Sequence, residues 1–265
     1  MIFYFSGTGN TRHVAQQLSA TLGDHAISVN DALRSSHTAF TLAKGESVGF
    51  AFPTHAWGMP PVFVDFLNRL RLNGYDGSHY CYMVTTCGDD TGLTAQDFAR
   101  QLAKMHMECN AAFSIQMPNT YINLPGFDVD ALQIEKTKLF DAERRIEEIA
   151  LCIAQRRFTS QVITGNHKWL KSRVLRPLFL KFAINDSHFR TMPDRCTHCK
   201  TCVAACPMHN ITIDAPQGMP QWHGNCTMCL NCLHRCPAQA IQYGRATLHK
   251  GRYYFGHRSP HQNSE

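Results

Sequence analysis

Eight cysteines near the carboxyl end of the chain follow one pattern twice. The first copy reads Cys196-x-x-Cys199-x-x-Cys202-x-x-x-Cys206-Pro207, and the second reads Cys226-x-x-Cys229-x-x-Cys232-x-x-x-Cys236-Pro237. Thiolate sulfur is a soft ligand that suits iron–sulfur clusters and zinc. Because no secretory signal is recognisable, this density indicates metal binding rather than a disulfide framework.

Three thiolates at strict three-residue spacing match three corners of one iron–sulfur cubane, and the cysteine before Pro is expected to ligate the other cubane. The crossed sets are Cys196, Cys199, Cys202 and Cys236, and Cys226, Cys229, Cys232 and Cys206. Paired zinc knuckles are the alternative, although zinc sites usually use two C-x-x-C pairs with a longer spacer. Residues 190–245 resemble the bacterial two-cluster ferredoxin, which implies two [4Fe–4S] clusters.

Small polar residues lie together near the amino end, in Phe5-Ser6-Gly7-Thr8-Gly9-Asn10-Thr11. A loop of this kind between a strand and a helix presents N–H groups, hydroxyls and a helix N-terminus, which suit a phosphate. No Lys follows the second Gly, and the G-x-G-x-x-G pattern is absent, so neither the triphosphate loop nor the dinucleotide signature is present. An ordinary strand–helix turn is the alternative.

Two further loops follow predicted strands, namely Pro53-Thr54-His55-Ala56-Trp57-Gly58 and Thr85-Thr86-Cys87-Gly88-Asp89. Ligands of open α/β sheets bind at the carboxyl ends of the strands, where all three loops are expected to lie. The pattern resembles flavodoxin, a family that holds FMN with three such loops.

That resemblance implies roles for the loop residues. Ser6, Thr8, Asn10 and Thr11 would hold the phosphate in a loop completed by Gly7 and Gly9, while Pro53–Gly58 and Thr86–Gly88 would flank the flavin ring. Trp57 is expected to stack on the ring, and Gly58 to permit backbone rearrangement beside it. His55 is interpreted as a loop residue or a polar flavin contact, and Cys87 as a small loop residue, with a redox partner as the alternative. For Trp57 the alternative is a residue that only fills the core. Short-chain flavodoxins often place a Tyr in the third loop; 119–121 could cover that face instead.

Alternating strand-like and helix-like segments must position these loops. The apolar pattern predicts strands at 2–5, 26–29, 47–52, 80–85 and 111–117, and helices at 11–22, 60–70 and 94–107. Strands joined by helical crossovers imply a parallel sheet covered on both faces. The predicted fold class is therefore α/β, a flavodoxin-like doubly wound five-stranded parallel sheet, plus a small α+β two-cluster ferredoxin domain.

Two segments between these parts are less distinctive. Residues 128–157 predict one long helix or two abutting helices that pack along the first domain; Lys136 and Glu143 occupy positions that a coiled coil would want apolar. The second segment, residues 159–189, is a connector that mixes basic and apolar residues. Pro177 should bend any helix there. We interpret it as a docking element, with a basic amphipathic surface for an anionic membrane or acidic protein as the alternative.

The predicted organisation has four parts. Residues 1–158 form the FMN-binding domain, 159–189 the basic connector, 190–247 the two-cluster domain and 248–265 a polar, frayed tail. The whole resembles the flavodoxin–ferredoxin fusion proteins found largely in anaerobic bacteria and archaea.

Composition limits the partners. The 265 residues include 44% hydrophobic and 17% charged residues, which argues against a disordered or membrane-embedded chain. A cytoplasmic location is expected. Residues 196–265 carry 6 basic and 2 acidic residues, so an acidic redox protein, a ferredoxin or flavodoxin, or a partner oxidoreductase is the expected partner. No nucleic-acid module is recognisable, membrane contact is a secondary interpretation, and the oligomeric state stays open.

The sequence therefore predicts intramolecular electron transfer between two [4Fe–4S] clusters and FMN, linking a low-potential one-electron donor to a redox partner. The alternative is an FMN-dependent reductase of a small oxidised substrate, such as a quinone or an unsaturated organic molecule, fed through the clusters. No Ser/His/Asp or Cys/His arrangement is recognisable, so no catalytic side chain is assigned.

Overall fold

The computed structural model describes residues 1–215 and 218–259, and contacts group the chain into two compact units. The first unit comprises Met1–Ser6, Thr11–Met117 and Thr137–Leu180. The second comprises Gly7–Asn10, Pro118–Lys136 and the chain from Lys181 onward. This grouping does not follow the order of the chain, because the short loop 7–10 and the segment 118–136 share a unit with the cysteine repeat. The domain boundaries given above stay a prediction.

The first unit alternates strands and helices. Its strands are β1 (Ile2–Tyr4), β2 (Ala26–Ser28), β3 (Ala39–Thr41), β4 (Val48–Pro53), β5 (Arg71–Asn73), β6 (Cys81–Cys87), β7 (Ala111–Gln116) and β8 (Thr159–Gln161). The helices that lie wholly or mostly in it are α1 (Asn10–Leu22), α2 (Val29–Arg34), α3 (Pro61–Arg69), α4 (Thr94–Ala103), α5 (Leu132–Ala154), α6 (Lys168–Leu170) and α7 (Arg176–Phe182).

Within the described residues, six strands form one parallel sheet in the order β2-β1-β4-β6-β7-β8. The α/β fold class is confirmed, and the five predicted strands are all present. The sixth strand, β8, lies in the predicted connector and pairs Thr159–Gln161 with Ala111–Phe113. Its three polar residues at the sheet edge carry no apolar pattern, which is why periodicity misses it. Periodicity also misses β3 and β5, because strands of three residues are too short to show an alternating pattern. These two strands form a separate parallel pair.

Aromatic side chains fill one face of this sheet, because Phe3 and Phe50 are register partners and Phe52 lies two residues beyond Phe50. Phe3, Phe50 and Phe52 on the strands contact Phe63, Phe66 and Phe98 on the helices, with ring centroids 4.6–5.6 Å apart for four of these pairs. All six rings are fully buried. Each buried ring contributes about 1.5–3 kcal/mol through removal of apolar surface from water. This packing fixes the strands, and so the positions of the loops that follow them.

The predicted helix over 128–157 is a single helix, α5, and it begins later than predicted. Before it, the Asp128 carboxylate accepts hydrogen bonds from the N–H groups of Val129 and Gly251, and the Asp130 carboxylate accepts one from Asn119. These side chains hold local loop structure instead of continuing a helix. Ile146, Ile149 and Ile153 are buried, as expected for a helix that packs along the first unit.

The connector contains a helical run from Lys168 to Phe182 whose geometry changes midway. The turn Lys171–Leu175 is π-helical, and Pro177 lies just beyond it at the start of α7. This agrees with the expected interruption, since proline supplies no N–H to the preceding turn. The run is apolar on its exposed side, where Trp169, Leu175 and Leu178 reach solvent. No helix among the described residues is long and apolar enough to cross a membrane.

The second unit repeats its local structure at an offset of 30 residues. It contains β9 (Phe189–Thr191), a 3-10 turn (Pro193–Arg195), α8 (Thr201–Ala205), β10 (Ile211–Thr212), β11 (Gln221–Trp222), α9 (Asn231–Arg235), β12 (Ile241–Tyr243), β13 (Arg252–Tyr254) and β14 (His257–Ser259). Left-handed residues recur in matching positions, in the pairs His198 and Met228, Lys200 and Leu230, and His209 and Gln239. The sequence repeat is thus a repeat of backbone conformation, even where the side chains differ.

The predicted frayed tail is wrong for the residues that the structure describes. Strands β13 and β14 form an antiparallel hairpin, and Arg252 and Tyr253 are each only 1% exposed. The terminal Nη2 of the Arg252 guanidinium donates to Gln242 and to the carbonyl of Thr247, whereas its Nε has no partner among the described residues. Tyr253 joins a core that includes Ile122, Leu233 and Ile241. The polar composition concealed this packing; residues 260–265 lie outside the described residues.

We expect Tyr253→Ala to destabilise the second unit by about 3–5 kcal/mol, because it removes a buried aromatic side chain. Tyr253→Phe keeps the ring and loses one hydrogen bond, from the hydroxyl to Asn10 Oδ1 at 3.1 Å, so its cost should be about 0.5–1.5 kcal/mol. Thermal unfolding followed by circular dichroism measures both. Equal losses in the two variants would contradict the packing role.

Candidate functional site

The eight predicted cysteine ligands line two small cavities of the second unit. Cys196, Cys199, Cys202 and Cys236 surround one cavity, whose other walls include Thr191, Ile213 and Ile241. Cys206, Cys226, Cys229 and Cys232 surround the other, whose other walls include Phe189, Ile211 and Trp222. Each cavity therefore combines the triplet of one repeat with the Cys-Pro cysteine of the other. In the described part of the chain, no three His, Cys, Asp or Glu side chains are grouped as a mononuclear metal site.

Backbone N–H groups point at several of these sulfur atoms. The N–H of Asn210 donates to Cys206 Sγ at 3.3 Å, and the N–H of Ala240 donates to Cys236 Sγ at 3.2 Å, which are equivalent bonds in the two repeats. The N–H of Met228 donates to Cys226 Sγ at 3.3 Å. Hydrogen bonds to cluster sulfur stabilise the negative charge of a thiolate-ligated cluster and raise its reduction potential.

Burial raises the pKa of Cys226 to about 11 and that of Cys229 to about 12, whereas hydrogen bonding with Thr201 lowers the pKa of Cys199. Without a bound cation, the thiols of the second cavity therefore stay protonated. A bound metal ion would displace these protons, and its positive charge would balance the negative charge of the thiolates. A set of four soft donors in a largely apolar cavity fits an iron–sulfur cluster.

The predicted phosphate loop is held from its own unit. Thr8 and Asn10 are buried, and Gly9 has a φ of +104°, a conformation that favours glycine. The Asn10 amide donates to the Pro118 carbonyl at 3.0 Å and accepts from the Tyr253 hydroxyl. The Phe255 N–H donates to the Thr8 carbonyl at 2.9 Å. The Asn10 side chain therefore braces the loop.

Within the first unit, threonine hydroxyls join β6 to α1 and to the loop after β4. Strands β1, β4 and β6 are neighbours and parallel, so the loops after them share one edge of the sheet. Thr11 Oγ1 lies 2.8 Å from Thr86 Oγ1, and Thr54 Oγ1 lies 2.9 Å from Thr85 Oγ1. The Thr54 N–H donates to the Thr86 carbonyl at 2.7 Å. Hydroxyl groups both donate and accept hydrogen bonds, so this group of threonines at one edge of the sheet suits a polar ligand.

The loop with Trp57 is tightly wound. The His55 N–H donates to the Gly58 carbonyl at 2.9 Å, and Ala56 and Trp57 both adopt left-handed φ angles, of 44° and 59°. Such angles cost energy for residues other than glycine and persist where neighbouring structure enforces them. Here the Arg176 guanidinium donates to the carbonyls of His55, Ala56 and Met59. A side chain at position 58 would overlap that guanidinium.

Other connector residues contact the same region, although their sequence pattern did not predict a role at the site. Lys171 Nζ lies 2.5 Å from the Asp90 carboxylate and 5.6 Å from the centre of the Trp57 ring. The Ser172 hydroxyl donates to the Trp57 carbonyl and accepts from the Leu93 N–H. The basic side of the connector therefore docks on the first unit. The cluster of basic residues after 167 was the signal available, but composition alone does not say which way they face.

The third loop is lined by a neutral thiol. Cys87 is 6% exposed, and burial raises its pKa to about 12. Its Sγ donates to the carbonyls of Asp89 and Ile115 at 3.7 and 3.8 Å. These contacts suit the small loop residue that the sequence indicates. The alternative cover, 119–121, belongs to the second unit, where Tyr121 packs against Phe127 with ring centroids 5.6 Å apart.

Two family models match the chain. A flavodoxin domain model matches residues 1–121, and a 4Fe-4S dicluster domain model matches residues 195–243. The chain is an N-terminal flavodoxin domain fused to a C-terminal ferredoxin-type domain. A flavodoxin domain implies FMN, and the dicluster domain implies iron–sulfur clusters, so this fusion protein has a redox role in electron transfer.

Among curated proteins there is no match to the fusion. Solved structures resemble parts of it. The Trp repressor binding protein from Bacillus subtilis is 18% identical over 54% of this chain and 96% of its own, with a TM-score of 0.33. Rubredoxin oxygen:oxidoreductase from the anaerobe Desulfovibrio gigas is 17% identical over 58% of this chain and 36% of its own, with a TM-score of 0.34. Azoreductase from Bacillus anthracis str. Sterne is 8% identical over 56% of this chain and 97% of its own, with a TM-score of 0.35.

His55 should make the stability of the fusion protein fall in mild acid. Burial, aided by repulsion from Arg176, lowers the pKa of His55 to about 4 from 6.5. The unfolded chain therefore binds a proton at this histidine more readily than the folded protein does. The free energy of unfolding is highest above pH 6.5 and decreases as the pH falls from 6.5 toward 4. Because the side chain is partly exposed, we expect a loss of roughly 2 kcal/mol.

Urea denaturation at pH 7 and pH 5, followed by circular dichroism, measures this loss. His55→Gln should reduce the difference between the two pH values, whereas His25→Gln, at an exposed position, should leave it unchanged. The same pH dependence in wild type and His55→Gln would show that another group is responsible.

Proposed function

We propose that the fusion protein transfers electrons within one chain, between two [4Fe–4S] clusters and one FMN, and so links a low-potential one-electron donor to a redox partner. The observation that carries this proposal is the pair of cavities, each lined by four cysteines drawn from both repeats. Each cluster carries one electron at a time, whereas FMN exchanges one or two. Bound together, these groups would allow one-electron delivery to support a two-electron reduction.

We assign the clusters to the crossed ligand sets. Cys196, Cys199, Cys202 and Cys236 hold one, and Cys206, Cys226, Cys229 and Cys232 hold the other. For FMN, Ser6, Thr8 and Thr11 supply hydroxyls and the loop backbone supplies N–H groups to the phosphate. Trp57 and the Thr86–Gly88 loop flank the ring. Arg176 holds the Trp57 loop in its left-handed conformation before the flavin binds, which lowers the conformational cost of binding.

The donor that we propose is an acidic redox protein. Cys199 is the one cluster cysteine classed as exposed among the described residues, and the exposed Lys200 follows it. Arg190, on β9, is exposed as well. Positive side chains near an accessible cluster attract a negatively charged partner and speed its association at low ionic strength.

Anaerobic purification followed by iron, sulfide and flavin analysis tests the proposal. Two cubanes and one flavin require about eight iron atoms, about eight sulfides and about one FMN per chain. Reduction by an acidic ferredoxin should be slowed by added salt, since screening weakens attraction between surface charges. Zinc in place of iron, or no FMN after reconstitution, would refute the assignment.

The crossed ligation predicts which cluster each Cys-Pro cysteine supports. Cys206→Ala should impair the cluster of Cys226, Cys229 and Cys232 and spare the other, and Cys236→Ala should do the opposite. Iron content and the electron paramagnetic resonance (EPR) signals of the reduced protein separate the two effects. If Cys206→Ala selectively lost the cluster of Cys196, Cys199 and Cys202, each repeat would hold its own cluster.

A second candidate is an FMN-dependent reductase of a quinone or an unsaturated organic molecule. The packing of Lys171–Arg176 on the Trp57 loop favours it, because this segment could form part of a substrate pocket beside the ring. Anaerobic mixing of the reduced protein with each substrate class distinguishes the two functions. Flavin reoxidation that saturates with a small substrate supports the reductase, and rapid reoxidation by a redox protein alone supports electron transfer.

A further inference from the structure

The phosphate loop lies directly against one cysteine of the second cavity. Both belong to the second unit. A Cβ atom placed on Gly7 would lie 2.6 Å from Cys229 Cβ, 3.3 Å from the Cys229 carbonyl oxygen and 3.4 Å from Cys229 Sγ. The first distance is far below ordinary van der Waals contact. The backbone at Gly7 is therefore packed on Cys229 with no room for a side chain between them.

Space, rather than conformation, explains the glycine at position 7. Gly9 has a positive φ and Gly7 does not, so another residue could adopt the backbone angles of Gly7. The obstacle is the Cys229 side chain and its carbonyl group. Glycine in a strand–helix loop can permit close approach of a ligand, and here it also permits close approach of a cysteine that lines a cluster cavity.

Other contacts hold the loop in this position. Phe255 packs on Gly9, with its Cβ 3.0 Å from a Cβ built there, and its N–H donates to the Thr8 carbonyl. The Tyr253 hydroxyl donates to Asn10 Oδ1. Each residue from Gly7 to Asn10 therefore contacts either Cys229 or the hairpin segment 253–255. The approach of the loop to Cys229 does not depend on a single contact.

We infer that the cluster held by Cys206, Cys226, Cys229 and Cys232 is the one adjacent to FMN and exchanges electrons with it directly. This inference rests on the proposed function. Cys199 of the other set is exposed, which makes the cluster of Cys196, Cys199, Cys202 and Cys236 the one that meets the external donor. Each electron then passes from the donor to this outer cluster, to the inner cluster and on to FMN, each centre being oxidised by one electron as the next is reduced.

Phosphorus-31 NMR of bound FMN tests the order of the two clusters. Reduced clusters are paramagnetic and broaden the resonance of a nearby phosphorus nucleus, an effect that falls steeply with distance, whereas fully reduced FMN is diamagnetic. We expect several-fold broadening on reduction of the wild-type protein. Cys229→Ala should abolish most of it. The matched variant Cys199→Ala, the middle cysteine of the other triplet, should retain it.

The variants are informative because Cys229→Ala keeps the Cβ atom that contacts Gly7. Iron content and EPR spectra establish which cluster each variant has lost. If Cys229→Ala does not fold, Cys206→Ala removes the same cluster from a different part of the chain. Gly7→Ala supplies a second measurement: its methyl group must push the loop and Cys229 apart, so broadening should decrease in a protein that still contains both clusters.

Retained broadening in Cys229→Ala together with lost broadening in Cys199→Ala would overturn the inferred order. An equal decrease in line broadening in both variants would overturn it as well, since neither cluster would then be the closer one. Failure of the proposed function has a different signature, because the wild-type protein would lack FMN or iron before any variant is compared.

Discussion

A cysteine triplet supplies three ligands, and a cubane needs four. In the arrangement that we propose, each triplet of the second unit is completed by the Cys-Pro cysteine of the other repeat. The two cavities accordingly draw on both repeats, and the matching helices, left-handed residues and N–H···S bonds place equivalent atoms around each one. The two halves of this small unit therefore depend on each other, and damage to one ligand set affects the element that carries the fourth ligand of that set.

The first unit meets a different constraint, which is to hold loops in shapes that their own residues disfavour. Buried aromatic rings fix the strands, and threonine hydroxyls join β6 to α1 and to the loop after β4. The left-handed angles at Ala56 and Trp57 still require outside support, and the connector supplies it through Arg176 and Ser172. The basic side chains that look in the sequence like a surface for a partner are in large part used inside this unit, in contacts with Asp90, Asp97 and loop carbonyls.

Glycine has two distinct uses in the phosphate loop, and the difference matters for electron transfer. Gly9 supplies a backbone conformation, and Gly7 supplies space beside Cys229. If the loop holds the flavin phosphate and Cys229 holds a cluster, as we propose, this close packing shortens the path between two redox centres without any additional residue. The hairpin of residues 252–259, which looks dispensable by composition, supports that loop through Tyr253 and Phe255.

The sequence by itself determined what local pattern encodes. Apolar periodicity predicted five of the six strands of the parallel sheet and the major helices. The cysteine spacing predicted two sets of four thiols, because the repeated pattern is visible in the chain itself. Only the tertiary structure decided the rest. The edge strand β8 has no apolar pattern, and burial of Arg252 and Tyr253 depends on partners more than a hundred residues away or across a hairpin. Arg176 contacts a loop about 120 residues before it in the chain. Gly7 contacts Cys229, which lies about 220 residues after it. No local property of either segment specifies such a contact, since it exists only once the chain has folded.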